Sequence, residues 1–414
     1  MINFKLSRIR QHFTQNALHD VRGEVRKELS RFDGQIKARS NIAIAVGSRG
    51  IDELELVVAE TIEYVKRKEA SPFIVPAMGS HGGATADGQM AILKDYGITE
   101  KRVGAPVRAS MEVVEIPHEG VPNPLYMDKL AYESDGILMI NRIKPHTDFR
   151  GKYESGLVKM AVIGLGKEKG ANAIHKYGVY GLSELLPPAS GKIFSTRKIL
   201  GGIALIENAY DRMMRVKALL ADEIPAQEPE LLELARKNQP KFPVDKFDVL
   251  ILDRMGKNIS GVGIDTNIIG RLKIHGHPEP AGPTIKAILV TDLSDESHGN
   301  ATGVGLADVI TKKLLDKIDY HVTYTNIVTS SFLERGKLPV VADTDLKAFE
   351  IACRSCGYIK PGEERIIRAK DTLHLDELYV SKRILREIQE KTDIEIVESD
   401  VDLMDLNGNF TAFN

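Results

Sequence analysis

The sequence alternates short runs of β-branched and other apolar residues with longer helical patterns. The run IAIAVGS at 42–48 is typical of a buried strand, and the apolar residues of 53–69 fall on one helical face. A second strand is predicted at 73–79, a helix near 86–96 and a third strand at 136–143. Because parallel strands are joined by crossovers of this kind, the order predicts a parallel sheet with helices on both faces.

The alternation resumes after a connector that is rich in proline. Four prolines surround one charged helix between 225 and 246, and we place a domain boundary there. Beyond this connector, strands are predicted at 247–256 and 284–293, and helices at 305–319 and 343–353. The sequence therefore predicts a second α/β region.

The predicted fold class is α/β, with two α/β domains that contain mainly parallel sheets and an active-site cleft between them. The N-terminal domain is predicted at 1–240 and the C-terminal domain at 246–395. The tail at 396–414 has a strand-like pattern that either domain could pair, and we expect it to pack back on the N-terminal domain.

Composition and charge exclude several classes of protein. The 414 residues are 43% hydrophobic and 28% charged, which is typical of a globular protein that can bury a core. The 56 basic and 58 acidic residues give a net charge of −2, so overall charge predicts binding neither to nucleic acid nor to an anionic membrane surface.

The apolar runs and the cysteines bear on the compartment. The start of the chain lacks the apolar core of a secretory signal, and runs such as ILGGIALI at 199–206 are shorter than the ~20 residues that a bilayer requires. The only cysteines, Cys353 and Cys356, provide no disulfide framework. We therefore expect a cytoplasmic protein.

Three histidines lie at or beyond the ends of predicted strands, where ligands bind in parallel sheets. His81 lies in MGSHGGATADG, His146 in NRIKPHTDFRG and His175 in KGANAIHKYG. Glycines around His81 permit close approach of a ligand, and Pro145 restrains the backbone before His146. Any one of these histidines could be structural, but the three together predict an active site.

Lys159 lies in the apolar segment SGLVKMAVIGLG. A lysine is costly in such a segment unless its pKa is lowered or its amine is covalently engaged. One interpretation is a nucleophilic or cofactor-tethering lysine. The other is a packed stem whose ammonium reaches water, and the spacing alone leaves both open.

The segments SHGGATADG and PHTDFRGKYESGLVKMAVIGLGKEKGANAIH resemble the nickel-dependent lactate racemase family, including its wider set of hydroxy-acid racemases and epimerases. The resemblance implies a nickel-pincer nucleotide, pyridinium-3-thioamide-5-thiocarboxylic acid mononucleotide, tethered to a lysine. Two cofactor sulfurs, one ring carbon and one histidine hold the nickel in that family. Lys159 matches the tethering lysine, and His175, sixteen positions later, matches the nickel ligand.

The resemblance also implies the catalytic residues and the reaction. His81 matches the first catalytic histidine and His146 the second, although three extra residues separate His146 from the lysine. Arg49 matches an arginine that contacts the cofactor. The expected reaction inverts C2 of a small anionic 2-hydroxy acid by hydride transfer to the cofactor and back. A histidine, with an ordinary pKa of ~6.5, takes the hydroxyl proton of each enantiomer. Cofactor-maturation proteins are the implied partners.

The second domain departs from the lactate-specific members of the family. The chain contains no Trp, and DRMGKNISGVGIDTN aligns Ile and Gly with positions that bind the substrate carboxylate. We therefore expect a substrate other than lactate, such as a larger polyhydroxy or sugar acid. The candidate substrate-binding residues are Lys257, Asn258, Arg271, Lys273 and His298.

Two other functions stay open. A zinc-dependent hydrolase could use His81, His146 and His175 as ligands with an acidic partner such as Asp148. A noncatalytic protein could use the two-domain cleft to bind a phosphorylated ligand. The resemblance favours the racemase or epimerase.

Two further motifs are interpreted as structural. GLGKEKG at 164–170 lacks the spacing of a Rossmann or Walker motif and predicts a turn between helices. Lys167 and Lys169 of this turn are expected near the cofactor phosphate. Cys353 and Cys356 form a CxxC at the end of a predicted helix, without visible partners for a zinc site.

Overall fold

The computed structural model describes residues 4–48 and 50–413. The strands of this part of the chain are β1 (Lys5–Gln11), β2 (Asn41–Val46), β3 (Ser71–Pro76), β4 (Val113–Ile116), β5 (Leu125–Asp128), β6 (Gly136–Arg142), β7 (Ile199–Glu207), β8 (Met213–Leu220), β9 (Lys246–Leu252), β10 (Thr284–Val290), β11 (Val309–Thr311), β12 (Val340–Ala342), β13 (Ile366–Ala369), β14 (Glu377–Ser381) and β15 (Ile394–Asp402).

The α-helices are α1 (Val21–Leu29), α2 (Leu54–Arg67), α3 (Ala86–Asp95), α4 (Glu100–Val103), α5 (Lys129–Glu133), α6 (Leu157–Lys159), α7 (Lys167–His175), α8 (Gly178–Tyr180), α9 (Leu186–Ser195), α10 (Ile224–Lys237), α11 (Thr266–Ile269), α12 (Lys312–Leu315), α13 (Tyr320–Ser330), α14 (Asp345–Ser355) and α15 (Lys382–Ile388). Wider π-type turns continue α6 and α8, at Met160–Gly164 and Gly181–Leu185. Short 3-10 helices lie at Ser30–Phe32, Gly82–Ala84, Asp295–Ser297, Val304–Leu306 and Leu333–Gly336.

The first compact unit, Thr14–Gln239, contains a five-stranded sheet. Its strand order is β3-β2-β6-β7-β8, and all neighbours are parallel except β7 and β8. Alternate residues of β2 enter different apolar clusters, because successive side chains point to opposite faces. Ile42 and Ile44 pack with α1 and α2, whereas Ala43 and Ala45 pack with the segment that contains Lys159. Helices therefore cover both faces of the sheet.

The second compact unit combines residues 4–13 with 240–413. Its eight-stranded sheet has the order β12-β11-β10-β9-β13-β14-β1-β15. The pairs from β12 to β13 are parallel, and those from β13 to β15 are antiparallel. The predicted α/β class with two mainly parallel sheets is thus confirmed, whereas the cleft between the domains stays a prediction.

The ends of the chain differ from the predicted domain ranges. Strand β1 falls in the predicted domain 1–240, but it pairs with β14 and β15 in the sheet of the second unit. The tail expected on the N-terminal domain contributes β15 to that same sheet. The physical reason is that β1 and β15 complete each other's backbone hydrogen bonds, which sequence periodicity cannot assign to a sheet.

One predicted helix of the second unit is wrong. In place of a helix at 305–319, the buried run Val309–Thr311 forms β11 between β10 and β12. A short helix, Lys312–Leu315, follows it, and a separate helix begins at Tyr320. Pairing with neighbouring strands has overridden the local helical pattern.

The chain passes between the two units twice, after Phe13 and before Pro240. Within the first unit, Asn16 Nδ2 donates a hydrogen bond to Asn238 Oδ1 at 3.0 Å. Within the second, Gln11 Nε2 donates to the backbone oxygen of Lys241 at 3.2 Å. In each unit, the two segments of chain that lead to the other unit are therefore hydrogen-bonded to each other.

Within the described ranges, no helix has the length and apolar character that crossing a membrane would require.

Candidate active site

Three neighbouring parallel strands of the first unit end at the same edge of its sheet. Ser48 follows β2, His81 follows β3 and His146 follows β6. Strand β2 lies between β3 and β6, so the loops after these strands converge at the edge where parallel sheets bind ligands.

The loop of His81 packs against the helical segment that begins at Leu157. The backbone N–H of Gly79 donates to the oxygen of Gly164 at 3.0 Å. Gly79 has a φ of 60°, and a Cβ there would lie 3.3 Å from the oxygen of Ile163. Glycine is therefore favoured at this contact. The His81 side chain is exposed, and its Nδ1 contacts Ser48 Oγ.

A buried glutamine donates hydrogen bonds to the backbone of this loop. Gln89 of α3 is fully buried, and its Nε2 donates to the backbone oxygens of Gly79 at 2.9 Å and His81 at 3.2 Å. Its Oε1 accepts a hydrogen bond from Lys167 Nζ at 3.1 Å. Gln89 thus links the His81 loop to the first residue of α7, the helix that ends at His175.

Lys167 is a structural cation rather than a phosphate ligand. Its side chain is fully buried, donates to the backbone oxygen of Pro76 and lies 3.0 Å from Asp128 Oδ2. Burial lowers the pKa of Lys167, and the Asp128 carboxylate opposes that shift. Because its ammonium is enclosed and paired with Asp128, Lys167 is not exposed to bind a phosphate directly, and its proximity to a cofactor phosphate stays a prediction. Lys169 is exposed.

His146 makes a hydrogen bond with each ring nitrogen. Nδ1 accepts from the backbone N–H of Asp148 at 3.0 Å, and Nε2 lies 2.6 Å from Lys159 Nζ. The ring of Phe149 packs beside the imidazole, with centroids 4.7 Å apart. Arg150 donates to the backbone oxygen of His146 at 2.6 Å. The half-buried Lys159 therefore belongs to the same cluster as His146.

A buried carboxylate fixes the backbone of the His146 loop. Glu154 accepts hydrogen bonds from the N–H groups of His146 at 2.6 Å and Gly151 at 3.2 Å. Its side chain has no exposed surface, and it pairs with the guanidinium of Arg236 on α10. The ion pair thus connects the His146 loop to a helix remote from it in sequence.

A second buried carboxylate, Glu228 of α10, caps the helix of Lys159. Glu228 accepts hydrogen bonds from the N–H groups of Leu157 and Val158, the latter at 2.9 Å. A Cβ at Gly156 would lie 2.4 Å from Glu228 Oε1, so only glycine leaves room for the carboxylate. Burial raises the pKa of Glu228 to about 7, although the two N–H groups oppose the shift.

The sequence analysis missed Glu228, although α10 contains a signal for it. The buried residues of this helix are Ile224, Glu228, Leu232 and Ala235. An acid in the middle of an otherwise apolar helical stripe indicates a carboxylate with an internal partner. Glu154 and Gln89 carry no comparable signal, because neither lies in a continuous apolar stripe.

His175 lies at the end of α7 and remains accessible to solvent. Enough protein surrounds it, however, that desolvation lowers its pKa to about 4. The charge of protonated Lys159 lowers this pKa further, while Asp148 raises it. His175 is therefore neutral at pH 7 and has a nitrogen lone pair for a metal ion. The electrostatic coupling places His175 in the neighbourhood of Lys159.

The four predicted residues of the first unit thus lie in connected loops and helices. His146 touches Lys159, His175 interacts electrostatically with Lys159, and the His81 loop packs on the same helical segment. Arg49, the predicted cofactor contact, lies outside the described residues.

The predicted substrate-binding residues of the second unit separate into two groups. Lys257 and Asn258 follow β9, and His298 follows β10, so this group lies at the carboxyl edge of the sheet. The backbone N–H of Lys257 donates to Ser297 Oγ at 3.0 Å, next to the exposed His298. Asn258 Oδ1 accepts from Ser294 Oγ at 2.6 Å.

Arg271 and Lys273 lie toward the other end of the strands. Arg271 donates to the backbone oxygen of Ile285, near the start of β10, and pairs with Asp308 at 2.7 Å, just before β11. Lys273 Nζ donates to the backbone oxygen of Gly305 at 2.8 Å. The five residues therefore do not form one carboxylate-binding group, because these two cations bind the amino-terminal edge of the sheet.

Among the described residues, no group of three or more His, Cys, Asp or Glu side chains is placed to hold a metal ion. His81, His146 and His175 thus form no zinc site of the kind that the hydrolase alternative requires. Cys353 and Cys356 are free thiols. Burial raises the pKa of Cys353 to about 12, which disfavours a reactive thiolate.

Comparison with known proteins gives a likeness in fold. No model of a protein family matches the chain, and no curated protein does. Among solved structures, the chain is similar to the lactate racemase apoprotein from Thermoanaerobacterium thermosaccharolyticum, with 14% sequence identity and a TM-score of 0.50. The match covers 95% of this chain and 92% of that chain. The protein therefore has the fold of this lactate racemase over nearly its whole length.

Proposed function

We propose that the protein is a racemase or epimerase that inverts C2 of a 2-hydroxy acid with a nickel-pincer nucleotide. The observation that carries this proposal is the contact of 2.6 Å between Lys159 Nζ and His146 Nε2, with the neutral His175 electrostatically coupled to the same lysine. These residues hold the family's tether, acid/base and nickel-ligand positions in the sequence motif. The likeness in fold to a lactate racemase supports the same assignment.

The chemistry of the donor set fits the cofactor. A neutral imidazole at His175 suits a metal ion such as nickel. The described residues offer no protein-only metal site, so a metal here needs ligands from a bound group as well. Lys159 would hold that group covalently and His175 would ligate the nickel. When bound, the group supplies an electrophilic ring that accepts hydride from the substrate and returns it.

The two histidines would handle the hydroxyl proton. His81 Nδ1 contacts Ser48 Oγ, and we assign the substrate side to Nε2. His146 Nδ1 accepts from the backbone N–H of Asp148, and release of this hydrogen bond would free Nε2 to take the hydroxyl proton. Each histidine would serve one enantiomer, because the planar keto acid must regain its hydrogen from the opposite side.

The substrate we propose is a polar 2-hydroxy acid larger than lactate, because the chain lacks Trp altogether. Lys257, Asn258 and His298 stay candidates for its recognition, whereas the bonded positions of Arg271 and Lys273 favour a structural role. We propose the cytoplasm as the compartment, where the two free thiols would persist.

The test is production of the chain together with the cofactor-synthesis proteins. Peptide mass spectra should show an adduct on Lys159, and a chiral panel of lactate, malate, aryl-lactates and aldonates should show racemisation of at least one acid. His81→Ala and His146→Ala should each lower turnover about 10²- to 10⁴-fold. His321→Ala, at an exposed histidine of α13, is the matched control. Full activity with an unmodified Lys159 would refute the proposal.

A further inference from the structure

The strand order of the second sheet has a switch point between β9 and β13. From β9 the chain adds β10, β11 and β12 on one side, and it then returns to place β13 on the other side of β9. Ligands of open α/β sheets bind beyond the carboxyl ends of the strands at such a point. In the first sheet the equivalent point lies between β2 and β6, the strands that Ser48 and His146 follow. A ligand of the second unit is therefore expected at the ends of β9 and β13.

Three side chains meet at the switch point of the second sheet. Arg254 follows β9, and Asp371 and His374 follow β13. Asp371 accepts a hydrogen bond from Arg254 Nε at 3.0 Å, and its other oxygen lies 2.8 Å from His374 Nδ1. The Asp371 side chain has no exposed surface, whereas those of Arg254 and His374 are 30% and 47% exposed. A buried carboxylate thus holds two basic groups side by side at the surface.

Backbone hydrogen bonds already fix the turn that contains Asp371. Asp371 Oδ1 also accepts from the backbone N–H groups of Leu373 at 2.9 Å and His374 at 3.0 Å. Thr372 Oγ1 accepts from the backbone N–H of Asp265 at 2.9 Å, and both residues are buried. The turn is therefore attached to the segment after β9, which also contains two of the candidate substrate-binding residues.

The charges within the cluster determine what its outer groups can bind. Burial opposes ionisation of Asp371, but the hydrogen bonds from His374 and from two backbone N–H groups lower its pKa overall. An ionised carboxylate only accepts, so His374 Nδ1 carries the proton of their contact. This hydrogen bond raises the pKa of His374, although burial and the charges of Lys370 and Arg254 oppose the shift. At pH 6 His374 is therefore mainly an imidazolium, and its Nε2 is a second N–H donor.

Arg254 and His374 keep N–H groups that can bind a ligand. Among the described residues, no hydrogen bond or ion pair engages the terminal nitrogens of Arg254 or the Nε2 of His374. Asp371 balances one of the three positive charges of Arg254, His374 and Lys370. A guanidinium fork also matches the two oxygens of a carboxylate. The cluster therefore offers both charge and N–H donors to an organic anion.

We propose that Arg254 and His374, positioned by Asp371, form a binding site for a carboxylate group at the switch point of the second sheet. Within the proposed function, on which this assignment rests, the group is the second carboxylate of a 2-hydroxy dicarboxylic acid. Because electrostatic attraction scales with the charge of the ligand, a site with three basic side chains favours such a dianion over lactate.

The experiment is titration of the full chain, without cofactor, with malate and with lactate at pH 6. Calorimetry should show that malate binds at least about tenfold more tightly than lactate. Malate should also raise the pKa of His374, followed through its imidazole resonance, because a bound anion stabilises the imidazolium. This second readout needs no variant for its measurement, apart from His374→Gln to assign the resonance.

Variants identify the groups that bind malate. Arg254→Gln and His374→Gln each keep an amide that can donate to Asp371 but remove the charge, so each should weaken malate binding at least about tenfold at pH 6. Arg383→Gln is the matched control for Arg254, since Arg383 Nε likewise lies 3.0 Å from a carboxylate, that of Glu363. Arg254→Lys keeps the charge without the fork and should give an intermediate affinity.

Three results would overturn the inference. Malate affinity that is unchanged in both Arg254→Gln and His374→Gln would show that the site lies elsewhere. Equal affinities for malate and lactate would refute the preference for a dicarboxylic acid. Inorganic phosphate that binds more tightly than malate would show that the site takes a phosphate instead.

The outcomes separate this inference from the proposed function. Malate binding that depends on Arg254, in a chain that racemises no acid, would sustain the site and refute the racemase. Racemisation of monocarboxylic acids alone, in a chain that binds no malate, would do the reverse. If both hold, Arg254→Gln should raise the KM for malate more than it lowers kcat, because Arg254 binds the end of the substrate remote from C2.

Discussion

The two halves of the candidate site are held in opposite electrostatic ways. The His146 and Lys159 half is fixed by two buried carboxylates, Glu154 and Glu228, which accept hydrogen bonds from backbone N–H groups. The His81 half is fixed by a buried cation, Lys167, which acts through Gln89 on backbone oxygens.

The difference reflects which backbone groups each half leaves unpaired. The helix of Lys159 begins inside the protein, so its first N–H groups need an acceptor, which Glu228 supplies. The end of β3 and the loop after it present carbonyl oxygens, so they need donors. A buried carboxylate thus lies where backbone N–H groups lack partners, and a buried cation lies where carbonyl oxygens lack them. Removal of either charge should therefore destabilise its own half of the site more than the other half.

The largest effect is expected from Lys167→Met. This change leaves the Asp128 carboxylate buried without its cation, and breaking a buried pair in this way costs about 3–5 kcal/mol. Urea unfolding should show the loss. Lys169→Met, at the exposed neighbouring lysine, should change stability by no more than about 0.5 kcal/mol. Equal stability of the two variants would show that Lys167 and Asp128 do not act as a buried pair.

Glu228→Gln should change the pH dependence of stability. The fold raises the pKa of Glu228 from its ordinary 4.5 to about 7, so between these values the folded chain binds more protons than the unfolded one. Stability from this group is therefore present below pH 4.5 and is lost as pH rises through 7. The variant cannot titrate, so its stability relative to the parent should grow by on the order of 3 kcal/mol between pH 4 and pH 8.

The measurement is the free energy of unfolding at several pH values. Glu230→Gln, at an exposed position on the same helix, should keep the parent's pH dependence. A constant difference between Glu228→Gln and the parent across this range would contradict the assignment.

Arg236→Met tests the His146 half through its ion pair. The change leaves Glu154 buried without its cation, and because Arg236 is 30% exposed, we expect a loss of about 1–3 kcal/mol. Hydrogen exchange at the amide of His146 should become faster, since that N–H donates to Glu154. Glu233→Gln removes the other, exposed partner of Arg236 and should leave this exchange unchanged.

The smallest effect is expected at Ser48, which contacts only one ring nitrogen of His81. Ser48→Ala removes a hydrogen bond of about 0.5–1.5 kcal/mol, so the kcat/KM of the proposed racemisation should fall by no more than about tenfold. The Lys159 adduct should form as before. A fall as large as that of His81→Ala would mean that Ser48 takes part in the chemistry itself.

Strands β2, β3 and β6 of the first unit could be predicted because each is a buried apolar run with its own boundaries. The predicted 73–79 and 136–143 correspond to Ser71–Pro76 and Gly136–Arg142. Strand β11 could not be predicted, because only its pairing with β10 and β12 distinguishes Val309–Thr311 from a helical pattern.

For the site, sequence motifs could nominate residues with chemical roles but not the residues that hold them. His146 and Lys159 lie in one recognisable segment, whereas Glu228 reaches that segment from about 70 residues away. The same limit applies to Lys167, whose burial depends on Asp128 and Gln89 and on no local pattern.

The placement of β1 between β14 and β15 has a practical consequence for dissecting the molecule. A fragment that begins at Pro240 would lack the strand that pairs with both of these neighbours, and two sheet edges would be exposed to aggregation. The hydrogen bond between Asn16 and Asn238 brings the ends of the other unit together. Expression of 14–239 alone, and of a second protein in which a short linker joins residue 13 to residue 240, is therefore the natural way to divide the chain.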